Sequence, residues 1–275
     1  MSGGAVNEHA YSAVATTDDG AELRFWSQGS GARTLLLVSG LGGTGGFWSD
    51  VAETLGASAR IIRFDQRGIG ASTRGTAELS IDRLAEDCLT VLDAAGAESS
   101  VLLGHSTGGC IVQACARIAP ERAEGLILSA TWMRQSRYMT ALFETRREML
   151  ENQPLVYAKS AALLSFPPGW LEENWHVYEA AVAKAPIGAT AGRIVRERID
   201  ALLAFDGPGE TGLPDLPALV LGARDDMIVP PFLQEELGAA LADSQTVMFD
   251  QGGHFFPLTR GDAFCASISE WMAAL

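Results

Sequence analysis

The segment Gly104-His105-Ser106-Thr107-Gly108 is a G-x-S-x-G pattern. Apolar Ser100–Leu103 precedes it, and Ser106–Ile118, with small residues along one helical face, follows. A sharp turn between strand and helix lifts a serine hydroxyl above a sheet, and its glycines leave room for the strained backbone. A free serine is a weak nucleophile, so it needs a base, and the base needs an orienting acid. His105 lies inside the turn, His9 in the N-terminal tail and His176 in a helical stretch. That leaves His254, in the glycine-rich segment Asp250-Gln251-Gly252-Gly253-His254. In this arrangement the acid falls between serine and histidine along the chain. Asp225 and Asp226 stand together between apolar Ala218–Leu221 and Pro230-Pro231. Asp226, four residues before Pro230, is the choice and Asp225 the alternative. The other place for an acid, after Gly125–Ser129, reads Ala130-Thr131-Trp132 and has no carboxylate.

A second pattern competes. Gly40-Leu41-Gly42-Gly43-Thr44-Gly45 is a G-x-G-x-x-G match between a strand-like and a helix-like run, and Asp65 follows Gly45 by twenty residues. That is the context of a dinucleotide-binding turn, with the acid on a ribose hydroxyl. The dinucleotide reading leaves Ser106, Asp226 and His254 without a use, although each falls where a strand ends. In the hydrolytic reading the glycine turn supplies one oxyanion donor, the N–H of Leu41, and Thr107 N–H supplies the other.

The elements that must position these residues alternate. Ala21–Trp26, Thr34–Ser39, Ala59–Phe64, Ser100–Leu103, Gly125–Ser129, Ala218–Leu221 and Thr246–Phe249 read as strands, several of them continuously apolar and thus buried on both faces. Phe47–Leu55, the stretch after the N-cap Ser80, Ser106–Ile118, 231–241 and 262–275 read as helices. Residues 1–9 read as a loose tail. Between Thr131 and Gly209 no strand is expected, only helices near 137–151, 155–164, 170–184 and 190–204, divided by prolines and glycine. The expectation is an α/β fold with a mostly parallel sheet, formed by residues 1–131 and 211–275, and a helical cap at 132–210 over its carboxyl edge.

The 275-residue chain carries 34 acidic and 20 basic residues, a net charge of −14, with no cluster of Lys and Arg. Nucleic acid and anionic membranes are therefore poor partners. No apolar run reaches the ~18 residues of a membrane span, and the first residues lack a signal-peptide pattern. Cys88, Cys110, Cys115 and Cys265 form no C-x-x-C pair, so a reduced, cytoplasmic protein without zinc is expected. No metal or organic cofactor is needed by the chemistry. The partner is a small molecule, and a monomer or homodimer is expected.

With these residues in place, the chain resembles α/β-hydrolases that carry a cap, from about Glu22 to Leu275. Phe64-Asp65-Gln66-Arg67-Gly68-Ile69-Gly70-Ala71-Ser72 is similar to that family's D-x-R-G-x-G-x-S loop, which gives Asp65 a structural role. Ser39-Gly40-Leu41-Gly42 departs from the commoner His-Gly-x-Pro form. It resembles 3-oxoadipate enol-lactonases and, more closely, the aminoacrylate (carbamate) hydrolases of bacterial pyrimidine utilisation. Trp132-Met133-Arg134, Leu142–Arg147 and Phe166–Trp170 resemble the second group. The resemblance implies serine chemistry on a small ester, lactone, amide or carbamate. A carbon–carbon bond hydrolase or perhydrolase would use the same triad.

Substrate-lining candidates are Trp132, Arg134, Tyr138, Phe166, Trp170 and Phe255, most of them in an apolar cap. Arg134 or Arg137 would meet a substrate carboxylate, as the resemblance implies. Arg146, Arg147, Arg193, Arg196 and Arg198 are read as solvated or paired with nearby acids.

Overall fold

Alternation along the central strands decides the layering. On β3 (Thr34–Val38), Leu35 and Leu37 face one side while Leu36 and Val38 face the other, and all four are fully buried. A strand buried on both faces needs a layer of helices over each. Full burial of each such side chain stabilises by about 1.5–3 kcal/mol.

The computed structural model describes residues 10–209 and 212–275. The elements run β1 (Tyr11–Thr16), β2 (Glu22–Gln28), β3 (Thr34–Val38), α1 (Ser49–Leu55), β4 (Arg60–Phe64), α2 (Ile81–Ala94), β5 (Ser100–His105), α3 (Thr107–Ile118) and β6 (Ala123–Ser129). Then come α4 (Arg137–Asn152), α5 (Pro154–Ser165), α6 (Pro168–Glu173), α7 (Trp175–Ala183) and α8 (Ala189–Ala204). The chain finishes with β7 (Ala218–Ala223), α9 (Pro231–Ala240), β8 (Ser244–Phe249), α10 (Phe256–Thr259) and α11 (Gly261–Ala274).

Among the described residues the strands form one sheet in the order β1-β2-β4-β3-β5-β6-β7-β8. β1 and β2 pair antiparallel, as do β2 and β4, and every later pair is parallel. Val51, Leu55, Phe264, Ile268 and Trp271, from α1 and α11, bury one face. Residues of α2, α3 and α9 bury the other, joined by Met139, Phe143, Ile199 and Leu202 of the helices between β6 and β7. No helix among the described residues is long and apolar enough to cross a membrane.

Three details differ from the sequence reading. β1 is an additional edge strand, paired by register to β2. The single helix expected at 170–184 is two, α6 and α7, divided at Asn174, whose backbone (φ −123°, ψ 42°) leaves helical geometry. Phe47 and Trp48 belong to a 3₁₀ turn ahead of α1. The tail at 1–9, with His9, and the division at 210–211 lie outside the described residues. All four cysteines are free and buried. The described residues hold no group of three or more His, Cys, Asp or Glu suited to a metal ion.

Candidate active site

Ser106 sits at the joint of β5 and α3 with φ 57° and ψ −126°. A non-glycine residue keeps such a conformation only where its surroundings enforce it, commonly at functional sites. The glycines explain how the turn closes. A Cβ on Gly104 would lie 2.2 Å from the Gly108 carbonyl oxygen, and one on Gly108 would lie 2.2 Å from that of Val38. The strand, the turn and the helix therefore approach through positions where only hydrogen fits.

His254 lies in the loop after β8, and its Nδ1 is 2.9 Å from Asp226 Oδ2. Both side chains are buried. Asp226 Oδ1 accepts from the N–H groups of Ile228 and Val229, each at 2.9 Å, and Oδ2 also accepts from Gln234 Nε2 at 3.2 Å. The acid is thus held by its own loop and by α9. An Nδ1 proton given to Asp226 leaves Nε2 as the basic nitrogen. Asp225 points elsewhere: its carboxylate accepts from Gly252 N–H (2.9 Å) and Gly253 N–H (2.8 Å), and so fastens the His254 loop to the β7 loop.

Among the described residues, Ser106 and His254 make no direct hydrogen bond with each other. The intervening aromatic packing places them at one site. The ring of His105, next to Ser106, is 5.0 Å from that of His254 and 5.2 Å from that of Phe47. His105 Nδ1 pairs with Ser129 Oγ at 3.0 Å. Burial first, and the nearby His254 second, hold the His105 imidazole well below its usual pKa, so it is a neutral packing group.

Gly40 abuts the nucleophile: a Cβ there would be 3.0 Å from Ser106 Cβ. The N–H groups of Leu41 and Thr107 donate to no protein group among the described residues, and Thr107 is the first residue of α3, where N–H groups lack an intrahelical partner. The glycine turn is otherwise committed. Gly45 N–H donates to Asp65 Oδ1 (2.8 Å) and Ala71 N–H to Asp65 Oδ2 (2.9 Å), so the buried Asp65 carboxylate ties two loops together, a structural use of the acid.

The lining candidates divide. Phe255 packs 5.5 Å from the His254 ring, Phe166 packs edge-on to Phe255 at 5.3 Å, and Trp170 stacks on Phe166 at 5.1 Å. Tyr138 Oη donates to the Met227 carbonyl at 2.5 Å, beside Asp226. Trp132 is wholly buried in the core, and its carbonyl accepts from Gln113 Nε2. Arg134 is 65% exposed and ion-paired with Glu236 at 2.8 Å, which commits it to the surface. Arg137 is exposed as well.

Among the helical arginines, Arg147 pairs with Asp200 and Arg193 with Glu197, while Arg196 is exposed. Arg146 and Arg198 correct the expectation of solvated or paired side chains, because both are buried and neither meets a carboxylate among the described residues. Arg146 lies against the rings of Phe143 and Tyr157, at 5.2 and 5.1 Å. Arg198 reaches the glycine turn, donating to the carbonyls of Leu41 (2.8 Å) and Gly40 (3.3 Å). Their periodicity carried a signal. Arg198 shares a stripe with Ile194 and Leu202, and Arg146 one with Phe143 and Leu150. Gln66 and Gln234, which position the glycine turn and Asp226, had no comparable signal.

Residues 35–267 match the alpha/beta hydrolase family. The chain is 34% identical, over 89% of its length and 92% of the relative's, to a protein of Azorhizobium caulinodans named "Putative carbamate hydrolase RutD". A protein of the same name from Caulobacter sp. strain K31 is 30% identical over 89% of this chain and 92% of its own. The crystal structure of a hydrolase from Pseudomonas aeruginosa PA01 superposes with a TM-score of 0.83 at 26% identity, covering 95% of this chain and 98% of the other. The enol-lactonase of Burkholderia xenovorans LB400 shares the fold, with a TM-score of 0.82 at 24% identity over 92% of this chain and 97% of that one.

Proposed function

Since the chain belongs to the alpha/beta hydrolase family, we propose that it is a serine hydrolase that cleaves a small ester, lactone, amide or carbamate through an acyl-enzyme. The observation that carries this reading is the 2.9 Å contact of Asp226 with His254 beside a serine held at φ 57°. The likeness to relatives named as carbamate hydrolases favours a carbamate or a close acyl analogue.

In the proposed cycle His254 Nε2 takes the Ser106 Oγ proton as the oxygen attacks the carbonyl carbon. The contact between base and nucleophile tightens once substrate is bound, as is usual for such pairs. The N–H groups of Leu41 and Thr107 receive the oxyanion, each contributing about 3–4 kcal/mol of transition-state stabilisation. His254 returns the proton to the leaving group, and the C–O or C–N bond breaks. Water, deprotonated by His254, then attacks the acyl carbon, and Ser106 leaves with its proton restored. Asp226 holds the imidazole in the required tautomer throughout.

We read α4–α8 as the cap. Phe166 and Phe255 form its apolar contact with the His254 loop, and Phe255 N–H donates to the Ser165 carbonyl at 3.0 Å. The test is labelling with a fluorophosphonate and mapping of the adduct. An adduct on Ser106, absent in Ser106→Ala together with ester turnover, supports the reading. An active, unlabelled enzyme or an active Ser106→Ala variant overturns it. A panel of p-nitrophenyl esters, carbamates and lactones then ranks the bond types.

A further inference from the structure

Arg198 projects from the middle of α8 and is 1% exposed. A buried guanidinium usually meets a carboxylate, because an unpaired charge in a low-dielectric interior is costly. Here every hydrogen-bond partner is neutral. Nε donates to the Leu41 carbonyl at 2.8 Å, and Nη2 donates to the Gly40 carbonyl at 3.3 Å and to Gln66 Oε1. Nη1 is buried without a partner among the described residues. Gln66 extends the grip: its Nε2 donates to the Ser39 carbonyl at 2.6 Å and its backbone N–H to the Gly43 carbonyl at 2.8 Å. The carbonyls of Ser39, Gly40 and Leu41 are thus held by two side chains, and that of Gly43 by the Gln66 backbone.

We propose that Arg198 is a positioning residue for the oxyanion hole, fixing the plane of the Gly40–Leu41 peptide and polarising it so that the Leu41 N–H binds a forming oxyanion more strongly. The inference rests on the serine-hydrolase reading above. The Gly40 carbonyl and the Leu41 N–H belong to one rigid, planar unit. A donor on the carbonyl oxygen draws electron density from the nitrogen and strengthens the N–H as a donor in turn. The effect is larger from a charged donor, and larger where water does not screen it. Burial lowers the pKa of Arg198 to about 10, which leaves it charged at neutral pH. Gly43, at φ 67°, permits this approach, since a Cβ there would be 3.2 Å from Nη2.

Polarisation of this kind matters most when charge has formed on the substrate oxygen. It therefore acts on kcat more than on KM. Because Arg198 belongs to an inserted helix, seating that helix and completing the oxyanion hole become a single event.

The test compares Arg198→Gln and Arg198→Lys with wild type, using p-nitrophenyl acetate turnover. Each kcat is divided by the number of sites titrated with fluorophosphonate, which removes any loss due to misfolding. We expect about 10- to 100-fold lower kcat per titrated site in Arg198→Gln, and about 3- to 10-fold lower in Arg198→Lys, with KM within threefold. Lysine keeps the charge but offers a single donor centre, so an intermediate value is the mark of combined charge and geometry. A folded variant of either kind with kcat per site within twofold of wild type overturns the proposal. If wild type takes no label on Ser106, the serine-hydrolase reading itself fails. If wild type labels and the variants keep full turnover, only the role of Arg198 fails.

Discussion

His254 Nδ1 stands 2.9 Å from Asp226 Oδ2, while the adjacent Asp225 spends its carboxylate on the N–H groups of Gly252 and Gly253. Two neighbouring aspartates therefore do separate work, one orienting the imidazole and the other tethering its loop. Asp226→Asn should lower kcat by about 10⁴-fold, since an amide favours the wrong imidazole tautomer. Asp225→Asn should keep kcat within about tenfold but cost about 1–2 kcal/mol of stability through lost backbone hydrogen bonds. Ester turnover and thermal melts of both variants check this, and the opposite ranking would transfer the orienting role to Asp225.

Gly40→Ala probes the loop that carries the Leu41 N–H, from the side that faces Ser106. Its Cβ would meet Ser106 Cβ at 3.0 Å and the His105 carbonyl oxygen at 3.2 Å. A displacement of the loop by a few tenths of an ångström or more should lower kcat, approaching about 10²-fold for a shift near 1 Å. Circular dichroism should remain native. A variant with full turnover would show that the loop yields without disturbing the donors.

Strain at Ser106 predicts an opposition between stability and activity. Ser106→Gly and Ser106→Ala should both be inactive, yet the glycine variant should be the more stable by about 1 kcal/mol, because φ 57° suits glycine and strains alanine. Melting temperatures measured side by side decide it. An alanine variant as stable as the glycine variant would mean that the turn holds little strain.

Acid sensitivity should centre on Asp19. Burial alone would raise its pKa, but the Arg67 guanidinium, the Thr17 hydroxyl and the Ala77 N–H outweigh burial and hold the carboxyl well below the usual range. Arg67 itself is fully buried between Asp19 (3.0 Å) and Asp87 (2.5 Å). A carboxyl whose pKa is lower in the folded state stabilises above its unfolded value of about 3.9 and loses that contribution as pH falls below it. Asp19→Asn should therefore be less stable by about 3 kcal/mol at pH 7, and its stability should vary less between pH 5 and pH 2. Denaturant titrations at a series of pH values measure both effects. An unchanged acid limb would place the sensitivity in another pair.

The strands were legible because a parallel sheet covered on both faces demands apolar runs, as in Thr34–Val38, where Leu35, Leu36, Leu37 and Val38 are all buried. Ser106, Asp226 and His254 could be picked out because each lies shortly after a strand, where the chain must turn at the sheet edge. β1 was less visible: four of its six residues are exposed, so its burial pattern is weak and pairing with β2 defines it. The break at Asn174 depends on local backbone geometry that a hydrophobic pattern does not encode. Arg198 leaves little trace in the sequence, because charge normally signals a solvated face, whereas this side chain takes its partners from loops more than 130 residues earlier in the chain. Contacts so distant in sequence leave only the position of an arginine within an apolar stripe as a trace.

Three of the hydrogen-bonded footholds by which the helices between β6 and β7 rest on the loops at the sheet edge are Arg198 on Gly40 and Leu41, Tyr138 on Met227, and the Ser165 carbonyl on Phe255. This tripod limits how the scaffold can be recombined. A chimera that grafts foreign helices into the same gap must reproduce all three footholds, or the loops bearing Asp226, His254 and Leu41 lose these supports together. Transplanting the helices with Arg198, Tyr138 and the Ser165 turn intact is therefore the conservative route to altered substrate range, and point changes between the footholds are the adventurous one.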